Sequence, residues 1–407
     1  MPVPLFSVIL IQVKEKTEEK AMAKEIGTRC IHLEEEGSNH YGAISFPIYQ
    51  TATFAHPGVG QSTGYDYSRV QNPTREQLEK VVASLENGID ALALSSGMAA
   101  ITLMMELFSP GDHLIVDADL YGGSVRLFEQ ISKKNGISFT SIDCCCEEIE
   151  GHIRENTKAI YIETPTNPMM HVTDIAKTAE IAKRHGLLLL VDNTFLSPYF
   201  QNPLELGANL VIHSGTKFLG GHNDALAGFL VTNRKELSER LRFLYKTTGA
   251  VLPPFDSWLI LRGIKTLGIR MERAQENAMA IAEWLKGQKM VTDVIYPGLA
   301  EHPGYEVMKR QARGFGAMLT FRVESREFAL AILEKVKLIQ YAESLGGVET
   351  LITYPTTQTH ADVPKELREK NGITESTLRM SVGIEDVKDL LDELERVFED
   401  IKKEMKH

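Results

Sequence analysis

"GLLLLVDNTF" (186–195) and "ANLVIHSGTK" (208–217) are two apolar runs that each break into polar residues, Asp192 and Asn193 in the first, Ser214, Thr216 and Lys217 in the second. A short continuous apolar run bounded by turn residues reads as a strand buried on both faces. The pattern repeats upstream in "DALALSSG" (90–97), "DHLIVDADLYGG" (112–123) and "TKAIYIETPTNP" (157–168). Helical periods separate these runs, so from about residue 76 the chain predicts βαβ units and a mostly parallel sheet with helices on both faces. Open α/β sheets bind ligands outside the carboxyl ends of their strands. One rim is therefore expected to gather Ser96, Gly97, Tyr121, Asn167, Asp192, Ser214, Thr216 and Lys217.

Beyond about residue 266 the pattern changes to separated strand-like runs, "GAMLTFRV" (316–323), "ETLITYP" (349–355) and "TLRMSVG" (377–383). Amphipathic helices lie between them, and a last one at 385–406 follows, which together predict a smaller α+β domain. Residues up to about 75 are rich in Gly, Pro, Ser and aromatics with little periodicity, and read as an arm that packs on something else. The expected division is an extension and arm over 1–75, a large α/β domain over 76–265 and a C-terminal α+β domain over 266–407. The opening "MPVPLFSVILIQVKEKTEEK" has no cationic region before its apolar run and charges directly after, so it makes a poor signal peptide and is too short to span a bilayer. The patterned sequence begins just after Met22, an alternative start.

The 407 residues have the apolar and charged fractions of a soluble globular protein. Their net charge of -11 is spread along the chain without a basic stripe, which excludes the footprint of a nucleic-acid binder and points to a small-molecule ligand. Neither a membrane nor a nucleic acid is an expected partner. Cys30 and the run Cys144, Cys145, Cys146 offer no CxxC pair and no Cys/His ligand spacing, which argues against zinc and against a secreted disulfide framework. A reducing cytoplasm fits best.

A lysine after a strand is ordinarily a solvated charge. The neighbours of Lys217 give it another reading. "LSSGMAAITLMMEL" is a strand, a small-residue turn and a helix, so the free amides of Gly97 and Met98 form an anion site suited to phosphate. Asp192 ends a buried strand at the rim, where a carboxylate needs a cationic or protonated partner. A phosphate cradle, a rim acid and a rim lysine together describe pyridoxal 5'-phosphate: the lysine bonds its aldehyde carbon, the acid keeps its pyridine nitrogen protonated, and the helix start holds its phosphate. Ser214 and Thr216 are further phosphate donors, and Tyr121, with Gly122 and Gly123 behind it, suits a ring stacked on the cofactor. Two motifs point instead to a serine hydrolase, "SGTK" (214–217) as S-x-x-K and "GQSTG" (60–64) as G-x-S-x-G. The first lacks its companion motifs and the second has no buried strand before it. His40, His56, His222 and His360 lie in polar stretches, none with ligand spacing to another.

From about Gly27 to the end, the sequence resembles the cysteine and methionine metabolism family of pyridoxal phosphate enzymes, which includes cystathionine synthases and lyases. The resemblance rests on "PIYQTATF" (47–54), "YDYSRVQNPTR" (65–75), "SSGMAAI" (95–101), "YGGS" (121–124), "IETPTNP" (162–168), "VDNTF" (191–195), "HSGTKFLGGHND" (213–224), "AESLGGVETL" (342–351) and "LRMSVGIEDVKDL" (378–390). It implies a fold-type I, aminotransferase-like subunit and a homotetramer of tight dimers, in which Tyr67 and Arg69 reach the partner's phosphate. It further implies Asn167 on the cofactor's ring hydroxyl and, with Ser344 and Arg379, near the substrate carboxylate. Lys217 is then the base at the substrate's Cα, and Tyr121 the second acid–base group.

Within the family, methionine γ-lyases carry a cysteine in place of Gly123 and lack an acid in place of Glu343. Those differences point to cystathionine-type chemistry, and "GGHNDALAG" (220–228), "PPFDSWLILRG" (253–263) and "TYPTTQTHADVP" (353–364) resemble bacterial cystathionine γ-synthases acting on acylated homoserine. Cystathionine γ-lyase is the next expectation, and β-lyase follows it.

Overall fold

The computed structural model describes residues 24–32, 41–361, 363 and 365–405; the extension 1–21, Met22 and His40 lie outside the described residues. Its larger sheet has seven strands: β1 (Asp90–Leu94), β2 (His113–Asp117), β3 (Ser138–Ile142), β4 (Thr157–Glu163), β5 (Leu188–Asp192), β6 (Leu210–Ser214) and β7 (Gly228–Thr232). Their order is β1-β7-β6-β5-β4-β2-β3, and β7 alone runs against its neighbours. The expected mostly parallel sheet is present, and all five quoted runs are strands in it.

Alternation along each strand explains why those runs are apolar throughout. Leu189 and Val191 of β5 pack into one hydrophobic cluster and Leu190 into another on the opposite face; Ile160, Ile162 and Tyr161 of β4 divide the same way. A strand buried on both faces has no polar side to show. Strand β3 escapes sequence reading because it lies at the sheet's edge, where "SFTSI" is largely half-buried and carries no apolar run.

A second, five-stranded sheet combines β8 (Val291–Ile295), β9 (Met318–Val323), β10 (Gln340–Tyr341), β11 (Leu351–Thr353) and β12 (Thr377–Ser381) in the order β10-β11-β12-β9-β8. Helices Leu267–Lys286 and Val387–Glu404 pack against one another, the latter through Leu390, Leu394, Val397, Phe398 and Ile401 on one stripe. The helix Pro73–Leu85 begins where the arm ends. Asn72 caps it by accepting from the Thr74 amide at 3.0 Å, with Pro73 in the first turn where no amide is needed. No helix among the described residues is long and apolar enough to cross a membrane.

Candidate active site

The carboxyl ends of β1, β4, β5 and β6 open into a cavity of about 580 Å³ that Arg379 of the second sheet also lines. Ser96, Gly97, Met98, Tyr121, Asn167, Asp192, Ser214, Thr216, Lys217, Glu343, Ser344 and Arg379 all line it, so the structure brings together twelve side chains and backbone segments singled out from the sequence. In-phase registration aligns the rim. Glu163 pairs with Asp192 across β4 and β5, and both fall on the face that buries Tyr161 and Leu190.

One wall is the start of helix Gly97–Met105. Ser96 caps it, its hydroxyl accepting from the Ala99 amide at 3.0 Å. The amides of Gly97 and Met98 have no acceptor among the described residues and face a site flanked by Ser214 and Thr216. Thr216 is fixed there by the Ala227 amide, which donates to its hydroxyl at 3.0 Å. Tyr121 lies across the cavity, its ring so close over Gly123 that a Cβ there would meet the ring at 2.5 Å. A larger residue there would have to displace the ring.

Lys217 donates to the Ser344 hydroxyl at 2.8 Å. Burial, and then the nearby Arg379 guanidinium, bring its pKa down to about 8 against the opposing pull of Glu343. A lysine so poised is a competent nucleophile and base near neutral pH. Ser344 holds its place in a left-handed conformation, φ +96°, that a serine adopts only under constraint. Arg379 donates to the Asn167 side chain at 2.8 Å and the Ser344 carbonyl at 3.0 Å, while its buried Nε has no partner. That free donor suits a carboxylate entering the cavity. Asp192 accepts from the Thr194 amide at 3.0 Å, and burial pushes its pKa up.

Tyr67 and Arg69 are not in this cavity. Arg69 lies over the Tyr67 ring, 5.6 Å from its centroid, and donates to the Lys246 carbonyl at the chain's own surface. The hydrolase motifs find no support: the Lys217 amine turns to Ser344 rather than Ser214, and Ser62 sits in an exposed loop, donating to Asp66. His56 is also in that loop, and His222 bonds a backbone carbonyl at 2.8 Å. His360, whose pKa burial brings down to about 4, contacts the Leu120 carbonyl at 3.3 Å.

Two acids escape the sequence reading. Glu163 accepts from the Tyr121 amide at 3.0 Å, and burial and then Asp192 push its pKa well up. Asp119 accepts from the Met169 amide at 3.1 Å and from the Thr166 hydroxyl, and so fixes the loop that presents Asn167. Each lies inside a quoted run, and each could have been noticed as an acid at the end of a buried strand.

Residues 27–399 match the family described as Cys/Met metabolism PLP-dependent enzyme. The chain belongs to this family. It is 51% identical to a cystathionine γ-lyase of Bacillus subtilis over 92% of this chain and 99% of that one. It is 49% identical to a cystathionine γ-synthase of Haemophilus influenzae over 89% and 94% of the two chains. A solved cystathionine γ-lyase of Lactobacillus plantarum, complexed with L-serine, superposes with a TM-score of 0.91 at 43% identity, covering 93% of this chain and all of that one. The subunit is thus fold-type I, its cofactor is pyridoxal 5'-phosphate, and its reactions form or cleave C–S bonds. The site fits that cofactor on its own terms: amides for a phosphate with no acceptor among the described residues, a buried acid with no salt bridge among them, and a lysine of lowered pKa in one cavity.

Proposed function

We propose that this trans-sulfuration enzyme is a cystathionine γ-synthase, replacing the acyloxy group of an O-acylhomoserine with the thiol of cysteine. The synthase choice is supported by the stretches 220–228, 253–263 and 353–364, and cystathionine chemistry by Glu343, an exposed carboxylate lining the cavity and close enough to raise the proton affinity of both Lys217 and Arg379. An anion there suits the ammonium group of incoming cysteine, or the distal one of cystathionine. When bound, the cofactor supplies an electron sink for the charge that develops at the substrate's Cα. Gly97, Met98, Ser214 and Thr216 hold its phosphate and Asp192 its ring nitrogen. Lys217 takes the Cα proton, Arg379 and Asn167 orient the substrate carboxylate, and Tyr121 covers the ring and moves the second proton. Cystathionine γ-lyase is the second reading, supported by the 51% identity to the Bacillus protein of that name.

The amino group of Glu343's partner gives the test. A charge-assisted contact contributes roughly 1.5 to 3 kcal/mol. Glu343→Val is therefore expected to lower kcat/KM for cystathionine formation or cleavage by about one to two orders of magnitude, while elimination from acylhomoserine alone falls far less. Equal losses on every substrate would mean that Glu343 only braces its loop. Product analysis with cysteine and acylhomoserine against cystathionine alone separates synthase from lyase.

A further inference from the structure

The sequence "DCCCEEIEGH" (143–152) has no part in the chemistry above. Its residues follow β3 in a tight turn closed by the Cys146 and Glu147 amides, which donate to the Asp143 carbonyl at 3.1 and 2.8 Å. Cys144 points into the core, whereas Cys145 and Cys146 are exposed. The Cys145 and Cys146 sulfurs stand 3.1 Å apart, and the Cys145 amide holds the Asp143 carboxylate beside them at 3.1 Å. Among the described residues this is the one place where three His, Cys, Asp or Glu side chains bring ligand atoms within 4.8 Å of one another. Glu147 lies across the same turn, accepting from the Asp143 amide at 3.1 Å, with His152 3.8 Å from its other oxygen.

We propose that this turn captures a thiophilic divalent cation such as zinc or cadmium, ligated by an Asp143 oxygen and the Cys145 and Cys146 sulfurs. Two sulfurs on one tetrahedral zinc lie about 3.8 Å apart, given a Zn–S bond of about 2.3 Å, so the pair, now 3.1 Å apart, has to open by about 0.7 Å. Closing it into a disulfide is harder, because neighbouring Cα atoms are about 3.8 Å apart and a disulfide wants about 4.4 to 6.8 Å. Two sulfurs select a soft cation over magnesium or calcium. Water or Glu147 takes the fourth position, which makes the site open and exchangeable. Binding exchanges the two thiol protons for the metal and releases them to solvent.

The test titrates cofactor-loaded protein, kept reduced by a phosphine, with cadmium and follows the ultraviolet thiolate-to-cadmium absorbance. The expected result is saturation at about one equivalent per chain with about two protons released. Both signals are lost in the double variant Cys145→Ser, Cys146→Ser, and Asp143→Asn weakens binding by about tenfold or more. The visible cofactor absorbance reports that each variant is folded. An unsaturable signal, or one undiminished in the double variant, overturns the proposal.

Discussion

At Lys217 burial decides the proton balance, and with it the pH at which the residue can act. Its amine has a pKa of about 8 in the folded chain, so below that pH it is protonated and unreactive, and above it is free. Uptake of added pyridoxal phosphate by cofactor-free protein, followed by visible absorbance, is therefore expected to quicken about tenfold per pH unit up to about 8 and then level off. A rate that goes on climbing toward about 10.4, the ordinary lysine value, would contradict the burial argument. The placement of Lys217 at the rim was legible because its neighbours along the chain are informative. Its tuning was not, since Arg379 and Glu343 come from remote segments. What Glu163 faces was hidden for a similar reason: only the registration of β4 on β5 sets it beside Asp192, and no linear pattern records that pairing.

Elements place the site through close backbone approaches. Gly228 begins β7 directly under the start of helix Gly97–Met105, where a Cβ would come within 2.0 Å of the Ser96 carbonyl oxygen. Backbone cannot yield there as a flexible side chain would, so Gly228→Ala has to push the helix start away from β7. The expected cost is about 1 to 3 kcal/mol of stability in denaturant melts. If the displaced amides are those that hold the phosphate, as proposed, cofactor affinity should fall by about tenfold or more in equilibrium dialysis. Unchanged affinity would show that these amides do not hold the phosphate. Strands whose two faces are both buried were readable as apolar runs. The missed β3, β8 and β10 are the partly exposed ones at sheet edges, where polar residues are tolerated and the pattern fades.

The whole subunit joins its two sheets at the Lys217 cavity: Arg379 on β12 reaches Asn167 beyond β4, at 2.8 Å, and Lys217 reaches Ser344 at 2.8 Å. Tyr67 and Arg69 stand apart from this junction, and we propose that they complete a neighbouring subunit's phosphate site within a homotetramer. Arg69→Ala should then weaken cofactor binding, and subunit exchange with Lys217→Ala chains should restore activity to some sites. No restoration after verified exchange would argue that each chain keeps its own arm. The central claim is that the cavity holding Lys217 is where this chain carries its cofactor. It is tested most directly by reducing the cofactor-loaded protein with borohydride and locating the pyridoxyl group by peptide mass. The account predicts loss of the visible band and a single modified residue, Lys217; a pyridoxyl group on another lysine, with Lys217 unmodified, would contradict it.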